Sequence, residues 1–375
     1  MVRELDGSIL EGGGQLLRNA TALAALTNRS IRVSKIRAGR RPPGLKPQHV
    51  AGSKLVAQIC LARLDGADKG SDELTFSPQN IRLGNYSADP GTAGSTTLLF
   101  QVSLPTLLFS TSPIPTISTL KLRGGTNAVQ APQIDYTENV FLPFLRQHFG
   151  ILVELDIRKR GYWPKGGGEI RLSITSRQDP LPSFQLLERG EVTKIRGRSF
   201  AAGLPAALAR TMAETARNHL IEAGIDESKI EITALREKEG TAVGSGSGIV
   251  LWAETENGCI LGGSALGQKG KTPEAVGSEA ADELVRNLSH GGCVDEYLQD
   301  QIIIFMALAD GVSQILVGPL TLHTKTAIWV AEQLTEARFQ VEEVDMNRVL
   351  LSCTGTGFRR IINHQAQAQG SPTWN

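Results

Sequence analysis

A recurring strand–helix–strand–helix rhythm, broken at intervals by clustered glycines, constrains this chain most. Residues 5–10 read as a strand, Gly12 to Gly14 as a turn, and 15–26 as a helix. Over 30–36, Ile31, Val33 and Ile36 alternate with polar residues, the period of a half-buried strand. Gly39, Pro42, Pro43 and Gly44 then break any regular element, and a second helix pattern follows over 48–62. The rhythm returns as a helix over 134–149, a strand over 151–157, and a hairpin that leads into 169–174. Near the C-terminus it returns again as a helix over 294–308, a strand over 314–317, a helix over 324–335 and strands over 339–344 and 349–353. The fold class implied is α/β (α+β), built of repeated units with helices laid against sheets.

One stretch has a different texture. Between Asp179-Pro-Leu-Pro182 and Gly267-Gln-Lys-Gly-Lys-Thr-Pro273 lie a helix pattern over 206–223 and strands over 230–235, 248–254 and 258–262. Residues 182–273 therefore read as an inserted α/β domain, with 1–181 and 274–375 forming one larger domain around it. The tail beyond Gly357 is polar and is expected to fray.

The 375 residues carry a net charge of +1, so no global basic field announces a nucleic-acid partner, and a phosphate-binding surface must be a local patch. Aromatic residues at 5% disfavour recognition built on base-stacking platforms. Cys60, Cys259, Cys293 and Cys353 are scattered without CxxC or zinc spacing, and read as reduced thiols of an intracellular protein. The N-terminus has no apolar signal core and no apolar run is long enough to span a bilayer, so the expectation is a soluble, unanchored chain with no membrane partner.

Several strings could carry chemistry. In Glu11-Gly-Gly-Gly-Gln-Leu-Leu-Arg18, three glycines before a helix expose backbone N–H groups to an anion; Arg18 could close on it and Glu11 could hold a divalent cation. Alone, the string reads first as a glycine-rich turn with a surface Arg and Glu. Arg37, Arg40, Arg41 and Lys46, with Gln48 and His49, form a basic loop leading into a helix, suited to phosphate or simply solvated. Arg160-Gly-Tyr-Trp-Pro-Lys-Gly-Gly-Gly-Glu-Ile170 reads as a hairpin connection bordering a site. Tyr297, Asp300 and Gln301 share one helix face at i, i+3 and i+4, offering a ring, a carboxylate and an amide to a nucleoside. His323 lies between a strand and a helix start, where the dipole disfavours imidazolium; it is a helix-capping residue or a neutral nucleophile.

Taken in order, Glu11–Arg18, Ile36–Arg40 with Pro43–His49, Ala93–Ser95, Gly124–Ala128 with Ala131–Tyr136, Arg160–Ile170, Glu296–Gln301 and His323 resemble the RNA 3′-terminal phosphate cyclase family from Leu5 to about Gly355, most of all its eukaryotic members. The resemblance implies a large domain of three βαβαββ-type units, each a four-stranded sheet with two helices, and the smaller insert. It implies an enzyme, a ligase-like RNA 3′-phosphate cyclase, that uses ATP to turn an RNA 3′-terminal phosphate into a 2′,3′-cyclic phosphate. His323 would become histidyl-AMP, and AMP would pass to the RNA 3′-phosphate before the 2′-hydroxyl closes the ring, so AMP and pyrophosphate are released. ATP would contact Gln101, Pro132, Tyr297, Leu298, Gln299, Asp300 and Gln301. Arg18, Arg37, Arg40, Gln48 and His49 would line the phosphate and RNA end. Glu11 would hold Mg2+ or Mn2+. Gln299 stands where many bacterial members carry Ala and is expected to face away with little consequence. The partner is RNA ending in a 3′-phosphate, and the location implied is the nucleus (nucleoplasm). A non-catalytic branch of the family lacks the nucleophilic His, and its presence here points to the enzyme. The Arg160–Ile170 string and His323 point away from the enolpyruvyl transferases, which have related repeated sheets.

Overall fold

The computed structural model describes residues 2–112 and 114–360. Its first sheet takes the order Arg3–Asp6, Ile31–Ser34, Leu74–Ser77, Arg63–Asp65; the first pair is parallel and the other two are antiparallel. The helices Gly14–Thr27 and Pro47–Cys60 connect its strands. A second sheet repeats that order and those senses with Asn85–Ala88, Ile117–Gly124, Gly168–Thr175 and Val153–Gly161. A third does so again with Gln185–Leu186, Val312–Val317, Val349–Thr354 and Arg338–Glu343. The strands obey the two-residue period of a pleated ribbon. Gly168–Thr175, for example, buries Gly168, Ile170, Leu172 and Ile174 and turns the residues between them outward.

The insert enters after the third unit's first strand. Val192–Ala202 pairs in parallel with Ile230–Arg236 and antiparallel with Gly246–Thr255, which in turn pairs with Ile260–Leu266. Composition placed this module at 182–273, but packing draws it differently. Gln185–Leu186 already belongs to the third sheet. The helix Pro273–Ser289 buries Val276, Ala280, Ala281 and Leu284 against the insert's own helix Ala206–Glu222 and strand Ile260–Leu266. Pro and Gly mark where regular structure breaks; they do not say which sheet the next helix will cover.

Two other expectations shift. The strand expected over 5–10 ends at Asp6, where Ser8 donates its backbone N–H and hydroxyl to the Asp6 carboxylate and turns the chain. The helix expected over 294–308 is two helices, Glu296–Gln301 and Ile303–Leu308, meeting at Ile302. Of the polar tail, Phe358 packs edge-on against Phe109 at 4.9 Å, and 361–375 lie outside the described residues.

The arrangement of helices places the site. Gly14–Thr27 packs against Pro47–Cys60, Thr96–Leu107 and Leu322–Leu334, drawn from all three units. Leu16, Leu17, Ala20, Leu23 and Ala24 are buried in that junction. Among the described residues no helix is long and apolar enough to cross a membrane.

Candidate active site

A cleft of about 690 Å³ opens where these helices meet. Four of them bring first-turn residues to it, namely Gly14 and Gln15, Gln48 and His49, Leu98, and His323, and Gln101 follows Leu98 further along its helix. The positive ends of these helix dipoles therefore converge on one space, a setting for a polyanion.

The glycine turn is shaped by what folds back over it. A Cβ at Gly13 would collide with the Glu11 carboxylate, and one at Gly14 with the His49 ring. Arg40 donates to Glu11 Oε1 at 2.6 Å, while Glu11 Oε2 is buried without a hydrogen-bond partner among the described residues. The Arg18 guanidinium lines the cleft, with the charges of Asp300 and Glu11 nearby. Burial lowers its pKa, against the pull of Asp300 and Glu11.

Arg37 behaves otherwise than its place in a basic loop suggested. It is buried, and its Nη1 donates to the carbonyls of Pro42 and Gly44, both at 2.9 Å. It borders the cleft, yet much of its donor capacity shapes the loop that carries Arg40 and Arg41. His49 Nδ1 accepts from the Lys46 backbone N–H at 3.1 Å. Burial, with Arg18, Arg37 and Lys46 nearby, pushes its pKa down to about 3, so the ring is neutral with its proton on Nε2. Gln48 Oε1 accepts from Ser95 N–H at 3.2 Å.

At the opposite wall stand Gln101, Pro132, Tyr297, Asp300 and Gln301. Gln101 Nε2 donates to Gln301 Oε1 at 2.9 Å, and the Tyr297 ring meets Tyr136 edge to face at 6.0 Å. Asp295 anchors this wall: fully buried, it caps the helix through Tyr297 and Leu298 N–H and accepts from the Tyr136 hydroxyl and Gly262 N–H. Asp300 accepts a hydrogen bond from Gln15 Nε2. Burial pushes its carboxyl up to about 7, with Arg18 opposing and Asp295 adding to the rise.

Two residues expected at this wall stand behind it. Leu298 is fully buried in the core. Gln299 is 2% exposed and faces away from the cleft, as expected, but not idly. Its Oε1 accepts from Thr321 N–H at 3.1 Å and from the Thr324 hydroxyl at 2.5 Å, and its Nε2 donates to the Gly318 and Pro319 carbonyls at 3.3 and 3.4 Å. It latches the turn that presents His323.

His323 is the second residue of the helix Leu322–Leu334, and the capping residue is Thr321, whose hydroxyl accepts from Thr324 N–H at 3.0 Å. His323 Nδ1 lies 2.7 Å from Gln15 Oε1; Nε2 has no hydrogen bond among the described residues. Burial lowers its pKa below 6.5; Glu11 works against that, Arg18 and Arg40 with it. Capping is thus not its task, and the ring is available as the neutral base form.

Gln15 was not singled out by sequence reasoning. Its signal was there: it stands at i, i+3 with Arg18, one helix face carrying both. The Arg160–Ile170 hairpin lies outside the cleft lining; Arg160 is buried against Asp135, while Trp163 at the tip is 76% exposed.

A single Glu11 carboxylate oxygen without a partner, beside a space suited to phosphates, fits a hard divalent cation that takes most of its ligands from substrate oxygens and water. Among the described residues no cluster of three His, Cys, Asp or Glu forms a self-contained metal cage.

The family model for RNA 3′-terminal phosphate cyclase matches residues 9–341. A probable RNA 3′-terminal phosphate cyclase of Dictyostelium discoideum is 41% identical over 366 residues, covering 95% of this chain and 83% of that protein. RNA 3′-terminal phosphate cyclases of Pyrobaculum aerophilum (39% over 363 residues, 96% of this chain and 100% of that one) and Methanosarcina barkeri (42% over 340 residues, 91% and 96%) are similar to the same extent. The crystal structure of the enolpyruvyl transferase NikO from Streptomyces tendae covers 96% of this chain and 50% of its own at 10% identity and a TM-score of 0.39, a likeness too slight to bear on the chemistry. By the family model and by relatives aligned over nearly its full length, this chain belongs to the RNA 3′-terminal phosphate cyclase family.

Proposed function

We propose that this protein is an enzyme that converts an RNA 3′-terminal phosphate to a 2′,3′-cyclic phosphate at the expense of ATP, through a covalent histidyl-AMP on His323. The observation that carries this reading is His323 itself. It sits in the first turn of a helix at a cleft of converging N-termini, with Nδ1 engaged and Nε2 open.

The chemistry follows from charge. An RNA 3′-phosphate resists attack by its neighbouring 2′-hydroxyl because its oxide is a poor leaving group; adenylation converts that oxide into AMP. The His323 Nε2 lone pair would attack the α-phosphorus of ATP as the bond to pyrophosphate breaks. A 3′-phosphate oxygen of the RNA would then take the AMP from His323. Finally the 2′-hydroxyl would attack the 3′-phosphorus and AMP would depart. Negative charge gathers on phosphoryl oxygens at each step, so pre-placed donors and cations matter more than general acids.

Arg18, Arg40, Arg41 and Lys46 supply positive charge at one end of the cleft, and neutral His49 supplies an N–H. Glu11 would hold Mg2+ or Mn2+, which when bound neutralises phosphate charge. The nucleoside would lie against Gln101, Pro132, Tyr297, Asp300 and Gln301, where a ring edge, amides and a carboxyl can sort one base from another. Leu298 and Gln299 support that wall from behind. Cationic side chains outnumber aromatic rings in the cleft lining, so weak RNA sequence preference follows. A nucleoplasmic location stays part of this reading through the likeness to eukaryotic members, although several of the relatives are archaeal; imaging the tagged chain checks it.

The test is incubation with α-labelled ATP and a divalent metal without RNA. Acid-labile label should appear on the wild-type chain and be absent from His323→Ala. RNA ending in 3′-phosphate should become phosphatase-resistant with the wild type alone. Label on the variant, or none on the wild type, would overturn the mechanism.

A further inference from the structure

We propose that Gln15 is the positioning residue of His323: its amide, oriented by Asp300, fixes the proton on Nδ1 and so presents Nε2 to the cleft, which ties nucleophile alignment to the wall assigned to the nucleobase. The inference rests on the function proposed above and adds to it a residue and a coupling.

Three links of geometry carry it. Gln15 is 4% exposed, so its amide must find partners inside the protein. Its Nε2 donates to Asp300 Oδ2. With the amide nitrogen on that side, Oε1 is turned to His323 Nδ1, 2.7 Å away. An amide oxygen likewise only accepts, so Nδ1 must carry hydrogen and the lone pair falls on Nε2. Once Asp300 is ionised, the reversed amide would face oxygen to carboxylate and leave two acceptors in contact. Free imidazole favours the opposite tautomer, so the preference is imposed by the protein.

An amide suits this position for a second reason. When Nε2 bonds to phosphorus the ring gains positive charge, and the Nδ1–H to Oε1 bond becomes charge-assisted. A neutral amide does not take the proton. The ring stays cationic, and when the RNA phosphate oxygen attacks, the N–P bond breaks to leave neutral imidazole with its Nδ1 proton still in place. Asp300 lies on the helix Glu296–Gln301 between Tyr297 and Gln301. A base seated against that helix therefore steadies the carboxyl that steadies Gln15.

Two measurements test this, one of which needs no turnover. His-selective 15N labelling and two-bond 1H–15N correlation spectra report the tautomer of His323, assigned by comparison with His323→Ala. The wild type should hold its proton on Nδ1; Gln15→Leu should move it largely to Nε2; Gln15→Glu, which keeps an acceptor towards Nδ1, should retain the wild-type pattern. A wild type protonated on Nε2, or a tautomer indifferent to Gln15→Leu, overturns the proposal whether or not the chain adenylates itself. Single-turnover labelling with ATP should be about 10- to 100-fold slower in Gln15→Leu, the rate equivalent of one hydrogen bond to a group that becomes charged. ATP affinity should stay within about threefold. Weakened ATP affinity with an unchanged labelling rate would make Gln15 a binding residue and overturn the proposal. Absence of label from every form, with the tautomer pattern as expected, counts against histidyl-AMP chemistry and leaves the positioning intact.

Discussion

Arg160, in the hairpin string that most marks this chain, should matter to stability far more than to the chemistry. Its guanidinium makes two hydrogen bonds to the Asp135 carboxylate, at 2.6 and 2.7 Å, and its Nε stands 2.7 Å from Glu237 of the insert. The Arg160 and Asp135 side chains are 3% and 0% exposed, and the guanidinium also lies over the Phe200 ring at 5.1 Å. Arg160→Met keeps the bulk and removes the charge, stranding a buried carboxylate. Breaking one side of such a pair costs about 3–5 kcal/mol. Arg198, 3.5 Å from the same carboxylate, offsets part of that, so about 3 kcal/mol is expected. With a urea slope of about 3 kcal/mol/M for a chain of this size, the midpoint should fall by about 1 M.

The pH dependence supplies a sharper check. Burial pushes the Asp135 carboxyl up, but the charge and hydrogen bonds of Arg160, with Arg198 and Asn127, hold it below its ordinary value. A depressed folded-state pKa contributes stability above the unfolded value of about 3.9 and loses it as pH falls through the folded one. In Arg160→Met burial acts with less opposition, so the acid is raised and the variant loses stability as pH rises above about 4. The gap between the two proteins should therefore be widest near pH 7 and narrow towards pH 4. Urea unfolding followed by circular dichroism at several pH values measures it. Adding Asp135→Leu should restore at least about half the loss by removing the stranded charge. A gap that is constant with pH, or a midpoint shift below about 0.3 M, would refute the reasoning.

Glu11→Gln keeps the shape of the turn and removes its charge; Mn2+ binding seen by electron paramagnetic resonance in the presence of ATP should be lost, and self-adenylation should slow by about 100-fold or more. Metal dependence equal to the wild type would contradict the role given to Glu11. Gln299→Leu strands Thr321 N–H and the Thr324 hydroxyl and should cost about 1–3 kcal/mol in urea unfolding. It should also slow adenylation without weakening ATP binding, and unchanged stability would argue against the latch. Asp300, raised to about 7, keeps a proton between about pH 4 and 7 that the unfolded chain has lost, so rising pH costs folding up to about 1.4 kcal/mol per unit there. Asp300→Asn removes that share, and a pH 4–7 stability slope identical to the wild type would show that the carboxyl is not raised.

The local alphabet of this protein was legible in one dimension. Period-two patterns located strands such as Ile31–Ser34 and Val349–Thr354, and the glycine run before Gln15 located a helix start. Each is a short-range effect of side-chain alternation or backbone freedom, which sequence carries directly. Glu11, Arg18, Asp300 and His323 were each ambiguous alone, a surface charge or a helix cap as readily as chemistry. Only their order along the chain, matched to a family, joined them.

What sequence did not carry was everything set by packing between distant segments. The helix Pro273–Ser289 looks the same whether it covers the insert or the large domain, and its apolar face chose the insert. Arg37 and Arg40 are three residues apart in one basic loop, yet one braces the loop's carbonyls and the other meets Glu11. Leu298 and Asp300 share a six-residue helix, and its rotation buries one and turns the other to the cleft. Gln15 and His323 are 308 positions apart; the packing of Gly14–Thr27 against Leu322–Leu334 closes that distance to 2.7 Å. The residue types and turn chemistry came from the sequence by itself. The convergence of four helix N-termini on one cleft, and with it the choice of which polar side chains face a ligand, was decided by burial of the helices' apolar faces against one another.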